Sequence, residues 1–424
     1  MESSYRSRLR VSDSPFEVKI EQMSTMNVQL SSSMAVELLA EEEQFDSIRD
    51  EWDELLDDSG QCVFFLRWAW NRLWWRMYAP RQSRLSLIAC RDERGRLAGL
   101  APFYWRRRAG IPHLREVLFL GTGIGIKTSE YLDIITRRGY ERPVAHAIAA
   151  FLRQRDDWDR LCLWGIPSAS TALPYLHDAL GARTCVAVCD RYPYVDTRFD
   201  WAAVKTGTRR SVGVNIDRLI RQLFKRYTCE FRRVGRLEEL DRAMDDFVRL
   251  HQARWRAQGQ SGSFAIFCFE RFMRETMRSS FEDGRLRFWV LNLNGQCAAA
   301  LVAFVDHGIA HYFQGGFDPT KSGLGKLMLA LCIQDCIQTE EIDQFDFMGG
   351  GATYKEDWTK TAKEGIELEL LRPGVRSEVY LAKVRVRRTL AKLYHALLSE
   401  SQRRRIRGHI RNFRVGFGSG IDLS

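Results

Sequence analysis

The chain has 424 residues, 45% of them hydrophobic and 28% charged, with 12 Trp; this is globular composition at a length that excludes a single domain and a largely disordered chain. Its apolar stretches, such as Leu97–Trp105 and Cys297–Phe304, are too short for a membrane-spanning helix, which needs ~20 residues. The net charge of +10 is concentrated, because Arg372 onward carries 13 Lys+Arg against 3 Asp+Glu, leaving 51 of each sign before it. Any polyanion reading therefore moves to one segment.

In chain order, residues 1–35 are Ser-rich and aperiodic, and read as a flexible leader without the apolar region of a secretory signal. Phe45, Ile48, Trp52, Leu55 and Leu56 then have the spacing of a helix with one buried face. An internal repeat follows. RLSLIACRDERGRLAGLAPFY (84–104) and RLRFWVLNLNGQCAAALVAFV (285–305) both read as strand, Gly turn and small-residue strand. Each is followed by an amphipathic helix (142–153 and 324–338) and a short strand ending in Gly (158–165 and 342–349). Between the copies lie an aromatic and charged bridge (191–201), a basic helix with Ile216, Leu219, Ile220, Leu223 and Phe224 on one face, the strand CEFRRV, and a helix over 237–258. The tail opens with an amphipathic basic helix over 379–399, followed by a second basic run, 402–413.

Ten Cys without a CxxC pair fit reduced thiols in a cytoplasm, and Cys332 and Cys336 read as helix core. Eight dispersed His give no metal motif, so no metal is expected. GTGIGIKT (121–128) is not a Walker A loop, because Ile126 stands between the last Gly and the Lys; it reads instead as a flexible loop beside SEYLD (129–133).

The second copy resembles the Gcn5-related N-acetyltransferase (GNAT) superfamily and, within it, the BioF2-like or cellulose-biosynthesis CelD/BcsL-like branch. The resemblance rests on ordered fragments: the basic helix before CEFRRV, His251 with Arg254-Trp255, the Gly295 hairpin, HYFQGGFDP (311–319), KSGLGK (321–326), FDFMGGG (345–351) and YKEDW (354–358). The tandem plan looks like that of the FemABX peptidyltransferases. It implies an α/β chain of two GNAT-like domains, each a mixed, mostly antiparallel sheet flanked by helices. The expected division is 36–195, a degenerate copy; 196–371, the acyltransferase; and 372–424, a basic helical tail.

The chemistry needed is acyl transfer from acetyl-CoA or another acyl-CoA. A pyrophosphate is held by backbone N–H groups at a helix N-terminus with glycines that permit close approach. Gly323 and Gly325 fit that role, with Lys321 and Lys326 adding charge, while the first copy offers only Gly139 and is expected to bind no donor. The acceptor needs a base, the oxyanion a backbone donor and the thiolate an acid. His311 or Asp346 is the base candidate, the backbone of Gly315 and Gly316 the oxyanion donor, and Tyr354 the acid. His251, Arg254, Gln314, Lys355 and Asp133 are expected to line the acceptor site. The expected acceptor is a sugar, amino sugar or other envelope or polysaccharide precursor. Two other readings stay open: a FemABX-like transferase using charged tRNA, with the tail as tRNA contact, and a non-catalytic protein binding an anionic membrane surface. The expected location is cytoplasmic, peripheral at the inner membrane face if the tail binds lipid.

Overall fold

A computed structural model describes residues 34–61, 63–108, 113–125, 127–339 and 341–397. The leader up to residue 33 and the basic run 402–413 lie outside the described residues.

The first half runs β1 (Ala35–Leu39), α1 (Glu42–Ser47), α2 (Arg49–Ser59), α3 (Trp68–Tyr78), β2 (Arg84–Arg91), β3 (Leu97–Arg108), β4 (Leu114–Phe119), β5 (Ile135–Thr136), α4 (Glu141–Gln154), β6 (Arg160–Pro167), α5 (Leu173–Leu180) and β7 (Thr184–Asp196). The second half runs α6 (Trp201–Gly207), α7 (Arg210–Gly213), α8 (Ile216–Arg226), β8 (Cys229–Arg233), α9 (Leu237–Ala257), α10 (Phe269–Glu282), β9 (Leu286–Leu293), β10 (Gln296–Asp306), β11 (Ile309–Phe317), α11 (Leu324–Gln338) and β12 (Gln344–Asp346). A 3₁₀ turn (Thr353–Asp357), β13 (Ala362–Leu371) and α12 (Val375–Leu397) close the described chain. Both repeated hairpins form as antiparallel pairs, β2 with β3 and β9 with β10. The folded part begins earlier than the helix at Phe45, because Ala35–Leu39 pairs with β2.

All strands join one mixed sheet in the order β1-β2-β3-β4-β6-β13-β7-β12-β11-β10-β9-β8, with β5 beside β3. The halves are tied by exchange. β13, from the end of the chain, inserts between β6 and β7, and β7 spans both halves by pairing with β13 through Pro193 and with β12 from Tyr194. Strand alternation gives β9 and β10 two buried faces. Phe288, Val290, Val302 and Phe304 join the core shared with the first half and with α9 and α10. Trp289, Leu291, Leu301 and Ala303 join a second core under α8 and α11. The α11 helix is buried nearly all round, including Cys332 and Cys336, rather than amphipathic as its spacing had indicated. The halves meet through stacked Phe64 and Phe304, 4.4 Å between centroids, and the buried Arg67–Asp306 pair at 2.7 and 2.8 Å.

The first turns of α12 dock on the first half. Ser377 is buried, Arg376 lies 3.7 Å from Asp159, and the Arg160 guanidinium covers the Tyr380 ring at 5.2 Å. Further along, Val386 and Leu390 are exposed.

Candidate active site

The site is made by a failure of pairing. β11 and β12 run parallel for three register pairs, Ile309 with Gln344, Ala310 with Phe345 and His311 with Asp346. There β12 ends, while β11 continues to Phe317. A wedge opens between them, with His311 and Asp346 at its foot.

Asp346 is fully buried and well supplied with donors. Its Oδ2 accepts from the Tyr131 hydroxyl at 2.6 Å and from Gln344 Nε2 at 3.0 Å, and its Oδ1 from the Met348 N–H at 2.7 Å. Burial outweighs these bonds and the nearby Lys363 ammonium, and pushes the carboxyl up to about 6. His311 is buried against the rings of Phe65 and Tyr131, with Nδ1 unpartnered. Desolvation holds its imidazolium form down to about 3, so the ring is neutral.

Further along β11 a second group faces α9. The Trp255 indole N–H can only donate, and it lies 2.9 Å from His251 Nε2. Nε2 therefore accepts, and the ring proton rests on Nδ1, 3.3 Å from Gln252 Oε1. The Gln314 carboxamide lies 3.1 Å from that same Nε2, and burial depresses His251 to about 4. Arg254 Nη1 donates to the Gly315 carbonyl at 3.2 Å, and its guanidinium covers the Phe317 ring at 4.7 Å. Its Nε has no acceptor. The Tyr354 hydroxyl meets that of Tyr312, and burial raises the pKa of both. A Cβ on Gly316 would lie 2.6 Å from the His251 backbone nitrogen, so this glycine lets α9 pack directly on β11.

The glycine loop divides its work. Gly323, the N-cap of α11, has φ +77° and open space on its Cβ side. A Cβ on Gly325 would lie 2.5 Å from the Phe317 ring, so its bareness serves packing rather than ligand approach. Among the described residues, the N–H groups of Ser322, Gly323 and Gly325 make no hydrogen bond. Lys321 pairs with Asp318, and Lys326 with Asp357 at 3.4 Å; both are partly exposed pairs of the kind worth ~0–1 kcal/mol.

The structure places one expected acceptor residue elsewhere and commits another to backbone carbonyls. Asp133, pushed up to about 7 by burial, is held by Gln61 at 3.0 Å and by the Ile134 N–H at 2.8 Å, inside the first half. Lys355 is buried and clamps the Met348 and Gly349 carbonyls. The 127–131 segment is not a loose loop; it is the first half's contribution to the wedge. Tyr131 reaches Asp346, Glu130 accepts from the Gly349 N–H, and Lys127 pairs with both Glu130 and Asp190. Lys127, Glu130, Tyr131 and Tyr312 fall within the stretches GTGIGIKT, SEYLD and HYFQGGFDP, but neither they nor Asp190 were expected to act in the site.

Among the described residues no group of His, Cys, Asp and Glu has the arrangement of a metal site, and no helix is long and apolar enough to cross a membrane.

Residues 209–356 match the model of the acetyltransferase (GNAT) domain. No curated protein sequence matches the chain. Among solved structures, a conserved protein of unknown function from Bacteroides thetaiotaomicron VPI-5482 aligns at 12% identity and TM-score 0.52, covering 79% of this chain and all of that one. FemX aligns at 9% identity and TM-score 0.52, covering 76% of this chain and 96% of that one. At such identities the likeness is one of fold. The chain is therefore an α/β protein in which residues 209–356 match the acetyltransferase (GNAT) domain model, in a fold similar to that of FemX.

Proposed function

We propose that the protein is an acyltransferase that takes its acyl group from acetyl-CoA or another acyl-CoA and passes it to an amine or hydroxyl of a sugar, amino sugar or other envelope precursor. The observation that carries this reading is the wedge above His311 and Asp346, with three uncommitted N–H groups at the start of α11. That end of the helix suits a pyrophosphate: the N–H groups and the helix dipole favour negative charge, and Gly323 leaves room for approach. Lys321 and Lys326, each held by one partly exposed carboxylate, are free to turn toward phosphate.

In the transfer, the acceptor nitrogen or oxygen attacks the thioester carbonyl and loses its proton to Asp346 or neutral His311. The tetrahedral oxyanion then collapses, the C–S bond breaks, and the thiolate takes a proton from Tyr354. Burial keeps that phenol protonated until it is needed. Arg254 and the His251–Gln314 pair line the open edge of β11, where they orient the acceptor. The test is thiol release from acetyl-CoA across a panel of amino sugars and nucleotide sugars. Acceptor-dependent release that Asp346→Asn or Tyr354→Phe diminishes supports the reading, and no release with any acceptor counts against it.

A second reading, aminoacyl transfer from a charged tRNA, draws support from the shared fold with FemX. It does not call for a pyrophosphate cradle at α11.

A further inference from the structure

The balance of charge before residue 372 conceals a local excess. From Trp201 to Arg226 there are seven Lys+Arg and one acid, Asp217. Lys205 takes Asp217, and Arg209 takes Asp357 at 3.2 Å. Arg210, Arg218, Arg221, Lys225 and Arg226 have no carboxylate in ion-pair reach among the described residues. On α8, Leu219, Ile220 and Leu223 pack on the core beneath α11. Arg218, Arg221 and Lys225 recur at the i, i+3, i+7 spacing that puts them on the opposite face, and all are exposed. Apolar side chains of the same stretch of chain are exposed too: Val214 is 71% exposed, Phe199 59% and Phe224 46%. A solvated helix face has no need of these, and a surface that only attracted anions would not carry them.

We propose that α7, α8 and the preceding Phe199 turn form a platform that rests on an anionic lipid bilayer. Its cations meet lipid phosphates, and Val214, Phe199 and Phe224 enter the boundary between headgroups and acyl chains. Cations alone would suit a nucleic acid backbone as well. The exposed valine on the cationic side decides between them, because burial beside a sugar-phosphate chain gives it little while the acyl boundary removes it from water. The platform lies against α11, so a docked protein holds the wedge close to the bilayer. This proposal does not depend on the identity of the acyl donor.

The test uses the full chain in co-sedimentation with phosphatidylcholine vesicles, with and without one third phosphatidylglycerol, at physiological and at high salt. The variants are a quadruple R218Q/R221Q/K225Q/R226Q, a double V214S/F224S, and a control, K383Q/R385Q/R387Q, on α12. Binding is expected only to anionic vesicles. The quadruple variant should lose on the order of 10²-fold in partitioning, the double variant should lose binding that persists at high salt, and the control should bind like the parent. All substituted side chains are at the surface, and circular dichroism confirms folding. Parental binding by both platform variants would overturn the proposal, as would a parent that binds no vesicles. Loss of CoA affinity with unchanged vesicle binding would assign the patch to the donor site, and loss of RNA binding alone would assign it to nucleic acid; either defeats the lipid assignment.

Discussion

Gly323→Ala and Gly325→Ala, two residues apart, are expected to fail for different reasons. At position 325 the new methyl carbon lies 2.5, 2.8 and 3.0 Å from three atoms of the Phe317 ring. An ordinary carbon contact is ~3.5 Å, so the ring must retreat by about 1 Å, and the Arg254 guanidinium covers it at 4.7 Å. Overpacking of this kind costs ~1–3 kcal/mol. Trimming the ring in the same chain, with Phe317→Leu, should recover part of that loss, a coupling of ~0.5 kcal/mol or more in a double-mutant cycle. At position 323 nothing lies within 4 Å, so the substitution pays only for a left-handed φ of +77°, ~1–2 kcal/mol, with no relief from Phe317→Leu. Its methyl group instead enters the space assigned to pyrophosphate, and CoA affinity should fall at least tenfold, ~1.4 kcal/mol. Urea unfolding and calorimetric CoA titration of both single variants and both doubles check this. Undiminished CoA binding by Gly323→Ala, or no coupling between positions 325 and 317, would refute the division of roles.

The pH profile of turnover separates the two base candidates. With Asp346 as base the acid limb falls near about 6 and vanishes in Asp346→Asn, whereas with His311 it falls near about 3. Tyr131→Phe removes a hydrogen bond that favours the Asp346 carboxylate, so an Asp346 limb should move to higher pH. Because the folded pKa of Asp346 lies above the ordinary ~3.9, the folded state holds that proton more tightly. Its contribution to stability is therefore lost as pH rises from ~4 to about 6, a slope that Asp346→Asn should remove in urea titrations at several pH values. Tyr354→Phe should lower turnover by on the order of 10²-fold or less with little change in CoA affinity, as calorimetry and steady-state rates would show. Arg67→Ala leaves the buried Asp306 without a main partner and should cost ~3–5 kcal/mol in unfolding experiments. Ending the chain before residue 398 should preserve the fold; ending it before Arg372 should destabilise it, because Arg372 covers Trp158 at 5.1 Å and Tyr380 packs under Arg160.

Much of the architecture was legible because it is local. The two hairpins and α4, α8 and α9 follow from spacing within single segments. The stretch read as a bridge for its aromatics and charge, 191–201, contains the end of β7, whose burial does not alternate because it serves β13 along one stretch and β12 along another. The insertion of β13 beside β6 joins residues some 200 positions apart, which no local pattern can announce. The site divides in the same way. His311, Asp346, Gln314, Arg254 and Tyr354 are carried by motifs of the second half; His311 and Asp346 share a register pair, while Gln314 and Arg254 meet α9 and β11 further along and Tyr354 meets Tyr312. Tyr131 comes from a segment 215 residues away from Asp346, and its role emerges only once the halves are packed. Gly325 shows the converse: a motif residue whose local explanation is overruled by a ring, that of Phe317, eight residues upstream.

The most direct test of the central claim is a calorimetric titration of the full chain with acetyl-CoA. One site per chain, weakened at least tenfold in Gly323→Ala and unaffected by substitutions at Gly139, is the expected result. Two sites per chain, or no heat with acetyl-CoA while charged tRNA supports transfer to an acceptor, would contradict it.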